Sequence, residues 1–193
     1  KTGAGVRVAV LDSGIDYTHK NLGGTGTTAA YNDCYAQKNT APTGACATLF
    51  GPDAPKVKGG YDFVGERWPS VANVAYPEEP DANPIDFEGH GTHVSDIIAG
   101  KSADGNHKGM APNASLFAVK VCSAVATSCS GVALLQAMDF ALDPNGDGDT
   151  SDAVDVINMS LGSSYGQKED DLSFASTNAV NAGVVVIASA GNS

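Results

Sequence analysis

The chain has 193 residues, of which 42% are hydrophobic and 17% are charged, so it can bury the core that one globular domain needs. Its formal net charge of −11 argues against nucleic acid as a partner, because phosphate binding requires patches of lysine and arginine. No apolar run reaches the length of a membrane span.

The four cysteines fall into two close pairs, and neither pair has the CxxC spacing of zinc and thioredoxin-like sites. Of the three pairings that four cysteines allow, two short-loop disulfides are the simplest. Such disulfides predict an oxidising compartment and hence a secreted protein. Four free thiols in a cytosolic protein are the alternative. The expected disulfides are Cys34–Cys46 and Cys122–Cys129.

Apolar runs alternate with stretches of helical periodicity, and the runs are apolar on both faces. This pattern predicts an α/β fold of three layers, in which a mostly parallel sheet is covered by helices on both faces. Strands are predicted at residues 6–11, 61–64, 114–122, 154–160 and 184–188. Helices are predicted after Gly89, from Gly131 to Leu142 and from Asp171 to Ala182.

The two longest segments between these elements have the composition of loops. Residues 23–58 are rich in Gly, Thr, Ala and Pro without a clear period, which predicts an extended surface insertion held by the first cysteine pair. Residues 68–88 are proline-rich and acidic, and predict a loop. In the helix that follows, Val94, Ile97 and Ile98 have i, i+3, i+4 spacing and are expected to face a core.

Three polar side chains lie at the ends of predicted elements. Asp12 follows the first strand, His90 opens a helix and Asn192 follows the last strand. Ligands of parallel sheets gather at the carboxyl ends of strands, so these groups are candidates for one site. An aspartate can orient an imidazole, an imidazole can move a proton, and a carboxamide can donate to an oxyanion. Taken alone, His90 could equally be a structural residue that caps its helix.

Four motifs occur in the order that one enzyme family has. They are Val8–Asp16, Gly89–Val94, Asn158–Gly162 and Ala188–Asn192, and together they resemble the subtilisin-like serine proteases. The resemblance extends from end to end of the chain, apart from the two loop segments. It implies a subtilisin-like α/β fold and the hydrolysis of peptide bonds in proteins.

The resemblance also implies roles for individual residues. Asp12 and His90 would belong to an Asp-His-Ser triad, and Asn192 would donate a hydrogen bond to the oxyanion. The segment Ser160-Leu161-Gly162 would pair through its backbone with bound peptide, which suits a broad range of protein substrates. The implied activity is that of a serine endopeptidase.

The family's nucleophile motif, Gly-Thr-Ser-Met-Ala, does not occur among the 193 residues. We therefore expect residues 1–193 to be the amino-terminal part of a catalytic domain, inactive alone, with the nucleophilic serine outside this segment. A propeptide and the remainder of the domain are the expected partners, as in a zymogen. A non-catalytic pseudoprotease fragment and a calcium-dependent structural or binding module are the alternatives.

The acidic turn that begins at Asp143 has side-chain oxygens at alternate positions and a glycine at the sixth. It resembles the first half of an EF-hand loop and predicts a structural Ca²⁺ site, although Val154 stands where an EF-hand has its bidentate glutamate. A solvated turn is the alternative. Together with Gly60–Gly65, the turn resembles the family branch that carries an inserted protease-associated domain. The candidate ligands are Asp143, Asn145, Asp147, Asp149 and Asp152.

Overall fold

The computed structural model describes residues 1–163 and 168–192. Its central strands are β1 (Arg7–Asp12), β2 (Val57–Asp62), β5 (Ser115–Lys120), β6 (Val156–Met159) and β7 (Val185–Ala188). They form one sheet in the order β2-β5-β1-β6-β7, and every neighbouring pair is parallel. A small antiparallel hairpin stands apart and consists of β3 (Ser70–Val71) and β4 (Val74–Ala75).

The helices are α1 (Thr28–Tyr35), α2 (Gly44–Ala47), α3 (His90–Ala99), α4 (Gly131–Leu142) and α5 (Asp171–Asn181). Side-chain oxygens at the residues before α1, α4 and α5 accept backbone N–H groups of the first turn, which satisfies donors that a helix leaves unpaired. These caps are Thr27, Ser130 and Asp170. No helix in the described part of the chain is both long and apolar enough to cross a membrane.

The neighbouring strands β1 and β5 are buried on both faces, as the three-layer prediction requires. Along β1, Ala9 and Leu11 pack into a core with α4 and α5, whereas Val8 and Val10 pack into a second core with α3. Successive residues of a strand point to opposite faces, so this division follows from the alternation along β1. The predicted α/β fold with helices on both faces is confirmed.

The helix α3 approaches the sheet through a narrower stripe than its sequence predicts. Gly91, Ser95 and Ala99 are the buried residues at i, i+4, i+8 spacing, and these small side chains allow the helix to lie close to β1. Val94 packs against the core, but Ile97 is exposed, so the prediction that Ile97 faces the core was wrong. Val94 and Ile98 pack against this core as predicted, and the small residues that bring the helix close to the sheet were not predicted.

The insertion at residues 23–58 is more ordered than its composition predicts. It contains α1 and α2, and the sulfur atoms of Cys34 and Cys46 are bonded to each other across them. The rings of Tyr31 and Tyr35 stack at 5.5 Å between centroids. A disulfide limits the freedom of a short segment, and ring packing adds contact, so local order arises without a large core.

A buried group of charges joins this insertion to the sheet. Lys120, at the end of β5, is fully buried and pairs with Asp62 at 2.9 Å and with Glu66. The hydroxyl of Tyr35 donates to Glu66 Oε2 at 2.8 Å. Burial alone would lower the pKa of Lys120, but the two carboxylates outweigh it and raise that pKa. A cation held in this way remains charged in the interior.

Candidate active site

Asp12 ends β1 and is 2% exposed. Its Oδ1 accepts the backbone N–H of Ser13 at 2.8 Å, which fixes the carboxylate against the start of the following turn. Its Oδ2 is buried and accepts no hydrogen bond from the described residues. The chain turns away directly after this residue, so the carboxylate stands at the carboxyl edge of the sheet, as predicted.

His90 is the first residue of α3, and its Nδ1 lies 2.7 Å from Asp12 Oδ1. The hydrogen bond with Asp12 raises the pKa of His90, and the charges of Glu88 and Asp86 raise it further, while burial opposes them. Half of the imidazole is exposed, so Nε2 is left for a partner in the cleft beside it. This geometry can accept a proton at Nε2 and stabilise the resulting cation.

The start of α3 is held by Asp86, which is 2% exposed. Its carboxylate accepts the backbone N–H groups of Gly89 at 2.9 Å and Thr92 at 3.0 Å, and the hydroxyls of Ser13 at 3.0 Å and Thr92 at 2.6 Å. Because Gly89 has no side chain to cap the helix, Asp86 replaces the usual cap. Burial raises the pKa of Asp86, and these donors oppose that effect.

A close approach of backbones brings His90 to Asp12. A Cβ added at Gly91 would lie 2.2 Å from the carbonyl oxygen of Gly14. The hydroxyl of Ser13 accepts the backbone N–H of Gly91 at 2.9 Å. Only glycine permits this contact, which explains why the residue after His90 carries no side chain.

The residues predicted for catalysis and for substrate binding meet in one cleft of about 490 Å³. Asp12, His90 and Asn192 line it together with the segment Ser160-Leu161-Gly162. A further wall is the hairpin 122–129, which is closed by a disulfide between Cys122 and Cys129. The structure thus brings these candidates together, and the roles of the individual residues remain predictions.

Two contacts hold the segment that follows β6. Asn158 Nδ2 donates to Ser160 Oγ at 3.0 Å, and Ser189 Oγ donates to the Leu161 carbonyl at 2.9 Å. Gly191 has a φ of 87°, a left-handed conformation that favours glycine, and it turns the chain after β7 toward Asn192. The ends of β6 and β7 therefore form neighbouring parts of the cleft.

The acidic turn does not belong to this cleft. Its side chains accept backbone N–H groups of the turn itself, among them Asp143 Oδ1 from Gly146 at 2.8 Å and Asp147 Oδ1 from Asp149 at 2.9 Å. Within residues 1–163 and 168–192, no group of three or more His, Cys, Asp or Glu side chains is arranged to hold a metal ion. Among these residues, the structure therefore contains no preformed cluster of ligands that would support the Ca²⁺ prediction.

The contacts of two acidic residues with the start of α3 were not predicted from the sequence. Asp86 and Glu88 both lie in the segment interpreted as a loop, and the His90 backbone N–H donates to Glu88 Oε2 at 2.8 Å. A signal for Asp86 was present, because an aspartate three residues before a helix-opening glycine has the spacing of a local backbone acceptor. The partner Ser13 is 73 residues away, and no local pattern reveals that contact.

Comparison with known proteins agrees with the geometry of the cleft. The sequence profile of the "Subtilase family" matches residues 3–193. The chain belongs to the subtilase family. Over 191 residues it is 32% identical to Subtilisin E of Bacillus subtilis, an alignment that covers 99% of the chain and 35% of that protein.

Two further relatives show the same partial coverage by this subtilase chain. The Thermophilic serine proteinase of Bacillus sp. (strain AK1) is 30% identical over 204 residues, which cover all of the chain and 34% of that protein. Subtilisin-like protease SBT3.6 of Arabidopsis thaliana is 36% identical over 129 residues, 58% of the chain and 16% of that protein. The chain thus spans about a third or less of the length of these relatives.

Proposed function

We propose that the protein containing this chain is a serine endopeptidase, and that residues 1–193 form the amino-terminal part of its catalytic domain. The observation that carries the proposal is the 2.7 Å contact between His90 Nδ1 and a buried Asp12 carboxylate at the edge of a substrate-sized cleft. Membership of the subtilase family and the relatives with protease names support the same reaction class.

The residues of this chain supply the proton transfer. Asp12 fixes the ring orientation through Nδ1, so the neutral imidazole accepts a proton at Nε2 from the attacking hydroxyl. The imidazolium is stabilised by Asp12 and returns the proton to the leaving amine. Asn192, at the same cleft, donates its side-chain N–H to the oxyanion.

We infer that the substrate binds as an added strand. Ser160-Leu161-Gly162 continues beyond β6 along the cleft, and its backbone offers hydrogen-bonding groups to an extended peptide. Main-chain pairing is independent of side-chain identity, so a broad range of protein substrates is expected.

The nucleophilic serine is proposed to lie in a part of the protein beyond these residues. The family's serine motif is absent from the 193 residues, and the chain covers 35% of Subtilisin E. Large apolar side chains are exposed on β7 and α5, which suits contact with the remainder of the domain. They are Val185 and Ile187 on β7 and Phe174 and Val180 on α5.

We further propose a secreted enzyme made with a propeptide. Two disulfides support an oxidising compartment, since thiols stay reduced in the cytosol. The net charge of −11 suits solubility outside the cell. The inserted protease-associated domain stays a prediction that rests on the resemblance alone.

A structural Ca²⁺ is proposed for the acidic turn. The turn offers hard oxygen donors, and Asp152 Oδ1 is buried there without a hydrogen-bond partner among the described residues. The residues that would hold the ion are Asp143, Asn145, Asp147, Asp149 and Asp152. A bound cation would neutralise their mutual repulsion and stabilise the turn between α4 and β6.

Chelation tests the calcium proposal. Removal of Ca²⁺ from the intact protein should lower its Tm, and Asp147→Ala should abolish the response of Tm to added Ca²⁺. Asp104→Ala is the matched control, because Asp104 also accepts a backbone N–H in a turn, from Asn106 at 3.0 Å. An unchanged Tm of the wild type after chelation would contradict a structural calcium site.

The protease proposal is tested by hydrolysis of a chromogenic peptide by the intact protein. A serine-directed inhibitor should block hydrolysis. His90→Ala should lower the rate of hydrolysis by a factor of about 10² to 10⁴. His93→Ala, an exposed histidine one turn further along α3, is the matched control and should keep full activity. A wild type with no hydrolysis and no labelling by the inhibitor would favour a pseudoprotease or a binding module.

A further inference from the structure

Three of the chain's 11 basic residues, Lys20, Lys56 and Lys101, line one pocket of about 450 Å³. The pocket lies at the amino-terminal ends of β2 and β5, since Lys56 directly precedes β2 and the strand β5 begins beside it. The catalytic cleft lies at the carboxyl ends of β1 and β6. The two sites therefore occupy opposite edges of the parallel sheet.

Lys56 is a fixed part of the pocket wall. It is 8% exposed, and its Nζ donates to the carbonyl oxygens of Pro112 at 2.7 Å and Ala114 at 3.2 Å. An ammonium group has three N–H donors, so one is left for a ligand. Burial lowers the pKa of Lys56, and the charge of Lys101 lowers it further. An anion beside the two ammonium groups would remove this repulsion.

The other polar groups of the pocket come from three segments, at residues 20–24, 101–103 and 112–115, which hydrogen bonds connect. The backbone N–H of Lys101 donates to the Asn21 carbonyl at 2.8 Å, and Lys101 Nζ reaches Asn113 Oδ1 at 3.4 Å. Asn21 is 9% exposed, and its Oδ1 accepts no hydrogen bond from the described residues. Rotation of this carboxamide by half a turn presents two N–H donors in place of the unpartnered oxygen.

The positive charge of the pocket is not compensated locally. Acidic residues outnumber basic ones by 22 to 11 in the chain, yet no carboxylate belongs to the described lining of this pocket. The rest of the lining is made of glycine, proline, alanine, serine and asparagine. Clustered cations in an otherwise acidic protein create a local attraction for an anion that net charge alone would repel.

We propose that this pocket binds a phosphate group, either as the free dianion or as the end of a small phosphate monoester. Lys56 and Asn21 donate from the wall, and Lys20 and Lys101 approach from the exposed rim. Lys20 follows β1 and Lys101 follows α3, so a bound phosphate joins two segments that meet through one backbone hydrogen bond. Binding therefore stabilises the fold, and it is independent of the proposed peptidase activity.

The test measures the binding of inorganic phosphate to the intact protein by calorimetry and by Tm, against chloride at equal ionic strength. The wild type should bind phosphate and gain Tm. The double variant Lys20→Met/Lys101→Met should bind at least about tenfold more weakly, because it removes both rim charges and leaves the buried Lys56 in place. The double variant Lys38→Met/Lys168→Met changes net charge equally outside the pocket and should bind like the wild type.

Equal weakening in both double variants would overturn the proposal, because net charge would then account for the attraction. Absence of phosphate binding by the wild type would overturn it as well. Glycerol phosphate distinguishes the two sources of the ligand. If it competes with inorganic phosphate, the pocket accepts an esterified group, and if it does not compete, the ligand is the free anion.

Discussion

His90 lies between two carboxylates of different burial. Asp12 is 2% exposed and binds the ring, whereas Glu88 is exposed and binds the backbone N–H of His90. Both carboxylates raise the pKa of His90, the hydrogen bond with Asp12 most of all. A protease needs the neutral imidazole as its base, so activity should fall as pH decreases through this pKa.

Glu88→Gln should move the acidic limb of the kcat/KM profile to lower pH. The substitution removes a negative charge that raises the pKa of His90, and it keeps a side-chain oxygen for the His90 N–H. The shift should shrink at high salt because Glu88 is exposed. Peptide hydrolysis by the intact protein measures the profile, with Asp33→Asn, an exposed residue of α1, as control. A limb that stays in place or moves to higher pH would contradict the electrostatic role of Glu88.

At the residue scale, the sequence predicted those functional side chains that lie within short motifs. Asp12, His90 and Asn192 stand at the ends of predicted elements and within motifs that resemble one family, and that local setting identified them. Lys120 was not predicted, because its partners Asp62 and Glu66 come from a different segment. The charge of a buried group depends on such distant neighbours, and the local sequence does not reveal which residues they are.

At the scale of elements, the start of α3 depends on one residue outside the helix. Asp86 accepts hydrogen bonds from the backbone of Gly89 and Thr92 and from the hydroxyl of Ser13. It thus connects the helix that presents His90 to the turn that follows Asp12. Its removal leaves several buried donors without partners, at a cost that exceeds that of an ordinary helix cap.

Asp86→Ala should destabilise the intact protein by about 2–4 kcal/mol, because these donors lose their acceptor in the interior. Peptide hydrolysis should fall as well, since the position of His90 relative to Asp12 depends on this helix start. Urea unfolding gives the stability change, and Asp53→Ala, on an exposed turn, provides the comparison. A loss below about 0.5 kcal/mol would mean that water replaces Asp86 without penalty.

Elements with a clear period were predicted better than those without one. The strands β1, β5, β6 and β7 and the helices α4 and α5 follow apolar patterns, and their ends differ from prediction by at most two residues. The strand β2 begins four residues before its predicted start, and the hairpin of β3 and β4 lies in a segment that was predicted to be a loop. The helices α1 and α2 were missed, because each buries only one residue, a cysteine of the same disulfide. Order that depends on a covalent bond and on stacked rings leaves no apolar period to detect.

At the scale of the whole molecule, the balance of buried charge connects stability to pH. Asp81 pairs with Asp62 through two backbone hydrogen bonds of 2.9 Å, and this bridge attaches the segment before α3 to β2. Burial raises the pKa of Asp81 to about 6, and the charge of Asp62 adds to that effect, while the Asn83 backbone N–H opposes it. Between about pH 4 and about pH 6, Asp81 of the folded state therefore holds a proton that the unfolded state has already released.

Asp81→Asn should raise the stability of the intact protein above pH 6. Between the unfolded pKa near 4 and the folded pKa of about 6, the native aspartate binds more protons than the unfolded one, so wild-type stability decreases as pH rises through this window. The asparagine keeps an oxygen for the Asn83 N–H and has no charge to bury. The gain should be about 1–2 kcal/mol at pH 8 after allowance for partial exposure, and it should vanish near pH 4. Urea unfolding at both pH values measures it beside Asp53→Asn, and a variant less stable than the wild type at pH 8 would show that the carboxylate is stabilised in the fold.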